Sequence, residues 1–134
     1  MRSLGIRHVA LRVKDAQASK AFYIKILGMT VEWEPDEDNV YLTREGLDNL
    51  AIHKEDHDGD KKGSLDHFGV FVPEHQDVDE WYEHVKSNQV EIAKDIKTHR
   101  DGARSFYFYD IDRNVIQLIS HPPVTERAKK DGQF

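Results

Sequence analysis

The 134-residue chain contains no cysteine, so it has no disulfide framework, and any bound metal ion must be held by nitrogen or oxygen ligands. No apolar run approaches the roughly 20 residues that a membrane-spanning helix requires. The amino-terminal segment lacks the apolar core and the cleavage site of a secretory signal. These absences predict a cytoplasmic protein, and the length is typical of one domain.

Positive charge is also scarce, because 19 lysines and arginines stand against 25 acidic residues and the formal net charge is −6. Nucleic-acid binding is therefore not expected, since a phosphate backbone requires a basic surface. Small anionic molecules stay possible substrates, because one or two local cations suffice to bind them. The chain has 8 histidines, and their positions decide whether they are candidates for function.

The sequence repeats itself once, with an offset of 59 residues between His8 and His67. Residues 6–13 and 65–72 both contain alternating apolar side chains, and in both a histidine follows the opening apolar residue by two positions. Such alternation predicts a β-strand with one buried face. The two copies are therefore expected to begin with equivalent strands.

A segment of helical period follows the first strand in both copies. Asp15 is the predicted N-cap of the first helix and Gly28 its left-handed terminating residue, while Asp77 is the predicted N-cap of the second helix. The predicted apolar faces consist of Ala18, Ala21, Phe22 and Ile26 in the first helix and of Val78, Trp81, Tyr82 and Val85 in the second. The aromatic residues expected in the core are Trp33, Tyr41, Trp81 and Phe106.

Further strand-like segments complete each copy. They cover residues 29–33, 39–43 and 49–54 in the first copy and residues 90–93, 104–109 and 115–120 in the second. The sequence thus predicts an α+β protein of two tandem βαβββ modules, at about residues 4–54 and 65–120. Residues 55–64 are a polar linker containing glycine. Residues 121–134 lack periodicity and are expected to be a tail that is either loosely held or laid across a partner subunit.

The segment from Ser105 to Leu118 resembles the closing signature of the vicinal-oxygen-chelate superfamily, and the repeated module resembles this family over roughly residues 4–120. The family includes glyoxalases, bleomycin-resistance proteins and extradiol dioxygenases. The resemblance implies a glyoxalase-like single domain whose mixed sheets curl into a half-barrel around a cleft. It also implies a homodimer, because two-module chains of this family commonly pair. The fold does not select one reaction, since it supports many functions.

The resemblance implies metal-ligand roles for His8 and His67, on the first strand of each module, and for Gln117, which stands where the family usually has a carboxylate. Ala51 occupies the remaining ligand position, where it cannot bind, and His53 two residues later is a possible replacement. Imidazole and oxygen donors suit a divalent Fe, Mn, Ni or Zn ion. The alternative is that both strand-opening histidines are hydrogen-bonded core residues.

The remaining candidate residues would bind or convert a substrate. Tyr107 resembles the tyrosine that extradiol dioxygenases place beside a catechol oxygen, and His99 is near the position of their substrate-binding histidine. Together with His53 they are the candidate catalytic residues, which would move a proton; strand packing for Tyr107 and loop exposure for His99 are the alternatives. Arg104 and Arg100 are candidates for binding a substrate carboxylate or phosphonate, unless both are solvated strand-end cations.

Two functions remain open at this point. The first is a metal-dependent enzyme of the glyoxalase or dioxygenase type, acting on a small substrate that chelates a divalent metal ion through neighbouring oxygens, with lyase, isomerase and dioxygenase chemistry unresolved. The second is a metal-free small-molecule binding protein of the bleomycin-resistance type. Stoichiometric metal in the purified protein favours the first function, and its absence favours the second.

Overall fold

A computed structural model describes residues 6–55, 65 and 67–133, in two compact units, Met1–Lys61 and Lys62–Phe134. Unit 1 contains β1 (His8–Val13), α1 (Ala16–Leu27), β2 (Thr30–Asp36), β3 (Asn39–Thr43) and β4 (Asn49–Lys54). Unit 2 contains β5 (Phe68–Phe71), α2 (His75–Ser87), β6 (Ile92–Thr98), β7 (Arg104–Tyr109), β8 (Val115–Ser120) and α3 (Pro122–Lys130). No helix in the described part of the chain has both the length and the apolar character needed to cross a membrane.

Each unit folds as the predicted βαβββ module, with one four-stranded sheet and one crossing helix. The strand order is β1-β4-β3-β2 in unit 1 and β5-β8-β7-β6 in unit 2. The first and last strands of each module pair in parallel, and the other pairs are antiparallel. A parallel pair requires a long crossover connection, which begins with the helix in both units. The predicted α+β fold of two tandem modules is confirmed.

The strand registers of the two units correspond around the candidate ligand positions. Ala10 pairs with Ala51 in unit 1, and Gly69 pairs with Gln117 in unit 2. Ala10 and Gly69 each lie two residues after the histidine of their module. Ala51 is therefore the counterpart of Gln117.

The ends of α1 agree with the sequence, but its buried face does not. Asp15 accepts a hydrogen bond from the backbone N of Ala18 at 2.9 Å, and Gly28 ends the helix in the left-handed conformation at φ 65°. The buried residues are Ala16, Ser19, Tyr23, Ile26 and Leu27. The predicted buried face was wrong except at Ile26. The face that is buried includes a serine, Ser19, so a search for apolar periodicity did not identify it.

Helix α2 begins three residues earlier than predicted. Its N-cap is Glu74, and the Asp77 carboxylate accepts a hydrogen bond from the backbone N of Glu74 at 2.8 Å. Asp77 therefore lies inside the first turn, where a carboxylate caps the helix from within. Of the predicted apolar face, Val78 and Val85 are fully buried, whereas Trp81 and Tyr82 are half-buried.

The carboxyl-terminal segment contains α3 and packs on unit 2, so the expectation of a loosely held tail was wrong. Two prolines open this helix, where their missing N–H groups cost no hydrogen bond. Thr125 is buried, and its hydroxyl donates to the carbonyl of His121 at 3.1 Å. The Lys129 ammonium donates to the carboxylate of Glu74 at the start of α2. These contacts attach the segment to unit 2.

Candidate ligand and substrate residues on the open sheet faces

In unit 2 one face of the sheet packs against α2 and the opposite face carries most of the candidate residues. Phe106 lies on the helix side, with its ring centroid 5.2 Å from that of Tyr82 on α2, and it is fully buried as predicted. Side chains alternate along a strand, so Ser105 and Tyr107 face the other way. Tyr107 pairs with Gln117 across β7 and β8. We call this side of the sheet the open face of unit 2.

The side chain of Gln117 is held by a buried serine on the neighbouring strand. Gln117 Nε2 donates to Ser105 Oγ at 3.1 Å, and Ser105 Oγ lies 3.0 Å from His99 Nε2. Because its amide nitrogen is engaged in this way, Gln117 keeps its Oε1 atom available as a metal ligand. A methyl group at Gly69 would lie 3.9 Å from that atom, which is an ordinary van der Waals contact.

His67 and Tyr107 lie against each other on the same face. Their ring centroids are 5.3 Å apart and the rings meet edge to face at 87°. The ammonium of Lys94 lies 4.9 Å from the centroid of the Tyr107 ring, a cation–π contact. The open face of unit 2 therefore combines an imidazole, a phenol and a cation with the amide of Gln117.

The structure does not bring Arg104 to the open face. Arg104 Nε and Nη2 donate to Asp79 Oδ1 on α2 at 3.2 and 2.5 Å, and Nη1 donates to Thr98 Oγ1 at 2.7 Å. Arg104 thus lies on the helix side of the sheet. Arg100 is exposed in the turn between β6 and β7, next to His99. Of the two arginines that the sequence proposed for anion binding, Arg104 is thus engaged by Asp79 on α2, and Arg100 is exposed in a turn.

In unit 1, His8 lies on the sheet face turned away from the core. Leu11 and Val13 of β1 are buried, whereas His8, Ala10 and Arg12, on alternate positions of the strand, are exposed. His8 Nδ1 lies 2.7 Å from Asn49 Oδ1, and Asn49 Nδ2 donates to Glu32 Oε2 at 2.5 Å. His8 is therefore hydrogen-bonded, but as an exposed and not a core residue.

His53 occupies the same face of unit 1 and has a similar set of partners. Its Nδ1 lies 2.7 Å from Asn39 Oδ1, and Asn39 Nδ2 donates to Asp36 Oδ1 at 2.9 Å. Its ring meets that of Tyr41 edge to face, with centroids 5.6 Å apart, and Tyr41 stacks on Trp33 at 5.1 Å. Trp33 is 58% exposed, so its predicted place in the core was wrong. Trp33 instead covers Tyr41 on the face of the unit 1 sheet that carries His8 and His53.

The candidate metal-binding atoms on these two faces are imidazole nitrogens and one amide oxygen. Among the described residues, no three His, Cys, Asp or Glu side chains lie together as a ligand group. An amide oxygen such as Gln117 Oε1 and the imidazoles of His8 and His67 are nonetheless donors that borderline divalent ions accept. The donor chemistry therefore fits a divalent ion, without a carboxylate to offset its charge.

Sequence reasoning missed the residues that hold the candidates in place, above all Ser105, Asn49 and Glu32. Ser105 had a detectable signal, because strand alternation from Tyr107 places it on the same face. The partners of His8 had none, since Asn49 is 41 residues away in the chain and Glu32 reaches it from a third strand.

Comparison with known proteins gives consistent relatives. The model of the glyoxalase/bleomycin resistance protein/dioxygenase superfamily matches residues 5–118. The fosfomycin resistance protein FosX of Listeria monocytogenes is 27% identical over 129 residues, which cover 94% of this chain and 96% of that protein. The metallothiol transferase FosB of Staphylococcus haemolyticus is 28% identical over 116 residues, which cover 85% of this chain and 81% of that protein.

Solved structures show the same fold. Lactoylglutathione lyase from Agrobacterium tumefaciens superposes with a TM-score of 0.75 at 18% identity, covering 90% of this chain and 96% of that one. The monoclinic form of FosX from Listeria monocytogenes superposes with a TM-score of 0.74 at 25% identity, covering 97% and 99% of the two chains. With the family match spanning most of its length, the chain belongs to the glyoxalase/bleomycin resistance protein/dioxygenase superfamily.

Proposed function

We propose that the protein is a metal-dependent enzyme that acts on a small substrate with neighbouring oxygen atoms. The observation that carries this proposal is the arrangement on the open face of unit 2, where Ser105 engages the amide nitrogen of Gln117 and leaves Oε1 as a donor. His67 and Tyr107 lie on the same face. Relatives named as fosfomycin resistance proteins and a metallothiol transferase support the enzyme class.

The proposed metal ligands are those that the family resemblance implies, His8, His67 and Gln117. Two imidazoles and one amide oxygen suit a divalent Fe, Mn, Ni or Zn ion, and they leave coordination positions for substrate oxygens. The ion would supply Lewis acidity toward those oxygens. Ala51, the counterpart of Gln117, provides no donor.

Proton transfer is assigned to side chains next to these donors. Tyr107 offers a phenol hydroxyl beside His67, and His99 lies 3.0 Å from the hydroxyl of Ser105, which it reaches through Nε2. His53 in unit 1 is a further candidate base. Lys94 adds a positive charge above the Tyr107 ring, which favours a substrate with an anionic group. Arg100, exposed beside His99, remains a proposed anion-binding residue, and Arg104 is the weaker candidate because Asp79 engages it.

Metal titration tests the proposal directly. Protein purified without a histidine tag and stripped with a chelator is titrated with Mn(II), Fe(II), Ni(II) and Zn(II) by calorimetry. We expect the wild type to bind one metal ion per chain and His67→Ala to bind none. His84→Ala is the matched control, since His84 is an exposed histidine on α2, and it should bind like the wild type.

The reaction class is tested with substrates of the kinds that the relatives' names suggest. Fosfomycin with water or a thiol as nucleophile, lactoylglutathione and a catechol are each incubated with the metal-loaded enzyme, and the products are identified by mass spectrometry. Turnover that Tyr107→Phe reduces supports the proposal. Saturable binding of a small molecule without metal and without turnover would instead favour a binding protein of the bleomycin-resistance type.

We also propose a homodimer. The edge strands β1 and β2 of unit 1 and β5 and β6 of unit 2 each have only one neighbour in their sheets. Unpaired strand edges are normally covered, often by a second chain. Light scattering at micromolar concentration should give twice the chain mass of 15.6 kDa; a monomer would refute the expectation.

A further inference from the structure

The hydrogen-bond partners of His8 determine which of its two ring nitrogens carries the proton. A carboxylate can only accept hydrogen bonds, so the atom of Asn49 facing Glu32 Oε2 must be the amide nitrogen. The amide oxygen of Asn49 then faces His8, where it lies 2.7 Å from Nδ1. An oxygen acceptor at this distance requires a donor, and Nδ1 of His8 therefore carries the hydrogen.

This assignment leaves the other nitrogen, Nε2, with its lone pair in the neutral imidazole. A lone pair is what a metal ion or a transferred proton requires. Histidine ligands typically donate their second ring N–H to a fixed acceptor, which sets both tautomer and ring orientation. Asn49 provides that acceptor, and Glu32 fixes the orientation of Asn49.

The fold explains why these side chains meet. His8 and Asn49 are direct register partners on the parallel strands β1 and β4. The register of β2 against β3 shifts between Val31 and Trp33, and Glu32 lies at this irregularity. A bulge turns a side chain out of the regular alternation, and here the Glu32 carboxylate reaches Asn49 two strands away.

We propose that Asn49 and Glu32 are positioning residues for His8, which hold its imidazole with Nε2 unprotonated and place a carboxylate charge behind it. The role of this arrangement in metal binding rests on the proposed function, whereas the tautomer itself does not. The ligand set His8, His67 and Gln117 contains no negative charge. The Glu32 carboxylate, linked to His8 through the Asn49 amide, places a negative charge behind this candidate ligand.

The same construction occurs at His53, which makes an internal control available. There Asn39 donates to Asp36 and presents its oxygen to His53 Nδ1. Two histidines on one sheet face are thus each linked through an asparagine to a separate carboxylate. We call each series of histidine, asparagine and carboxylate a relay. A substitution in one relay should leave the tautomer of the other histidine unchanged.

The tautomers are measured in metal-free, ¹⁵N-labelled protein by long-range proton–nitrogen correlation spectra at mildly alkaline pH. We expect His8 and His53 both to be protonated mainly at Nδ1. Glu32→Gln should shift His8 toward the Nε2–H form by about 5-fold, because glutamine both donates and accepts and no longer dictates the orientation of Asn49. Asp36→Asn should shift His53 and leave His8 unchanged.

Asn49→Ala removes the acceptor itself and should have the larger effect on His8. The proposal is overturned if wild-type His8 is protonated mainly at Nε2, or if Glu32→Gln and Asp36→Asn affect both histidines equally. Glu32→Gln is an exposed, nearly isosteric change, so it tests the proposal even if Asn49→Ala does not fold.

Metal affinity provides the second readout. Glu32→Gln should weaken binding of Zn(II) or Mn(II) by about 10-fold, as removal of support behind a ligand typically does, and Asp36→Asn should not. Equal affinity in wild type and Glu32→Gln would overturn the metal part of the proposal. If the tautomers respond as expected but the wild type binds no metal, the positioning of His8 is supported and the proposed enzyme function fails.

Discussion

Ser105→Ala is the substitution that tests the candidate site most directly. The hydroxyl of Ser105 accepts from Gln117 Nε2 at 3.1 Å and lies 3.0 Å from His99 Nε2. Ser105 is 1% exposed, whereas Gln117 and His99 are half-buried. After the substitution both side chains can still turn toward water, so the loss is that of two ordinary hydrogen bonds. We expect the free energy of unfolding to fall by about 1–2 kcal/mol.

The same substitution should weaken metal binding by about 10-fold, because the amide of Gln117 loses the contact that fixes its oxygen. Urea denaturation followed by circular dichroism measures stability, and calorimetry measures metal affinity. Ser120→Ala is the matched control: Ser120 is equally buried on β8, but its hydroxyl makes a long bond to Pro73 at 3.5 Å. A Ser105→Ala protein with wild-type stability and metal affinity would refute the role assigned to this hydroxyl.

Three further predictions follow from single side chains. Gln117→Glu should tighten Mn(II) or Zn(II) binding by roughly 10- to 100-fold, as measured by calorimetry, because a carboxylate restores ligand charge. Lys20→Met should raise the Glu34 pKa in an NMR titration, because a hydrogen bond from Lys20, and to a smaller extent one from Gln17, lowers that pKa. The stability that Glu34 contributes is present above its unfolded pKa and is lost as the pH falls through its folded pKa. Phe106→Ala should cost about 3–5 kcal/mol in urea denaturation, because the ring is fully buried.

The elements of the fold were predictable because they depend on local patterns. Gly28 ends α1 in the left-handed conformation that glycine favours, and Asp15 caps its start. Strands β3, β4, β7 and β8 have the bounds that the alternation indicated. The buried face of α1 was not predictable in the same way, since Ser19 is buried against the sheet although its type suggests a solvent-facing position.

For the candidate site, the sequence indicated candidate side chains but not the residues that hold them in place. The repeat and the closing segment gave His67, Gln117, Tyr107 and His99, and the structure places all four in unit 2, with Ser105 joining two of them. The relays behind His8 and His53 depend on which strands are neighbours and in what register, and on a bulge at Glu32. Periodicity along one strand contains no information about lateral register between strands, so these contacts required the three-dimensional structure.

The proposed ligand set has Gln117 where the family usually has a carboxylate, so the charge that balances a divalent ion would have to come from elsewhere. An amide oxygen adds no negative charge, so a divalent ion at the proposed ligands would keep its full positive charge. It would then polarise substrate oxygens more strongly than a carboxylate-bound ion does. An anionic substrate would then complete the charge balance, and Lys94 on the open face favours such a substrate as well. Glu32 behind His8 supplies only part of the compensation, because its charge acts through Asn49. With the proposed ligand set, an anionic substrate should therefore bind the metal-loaded protein more tightly than the metal-free protein.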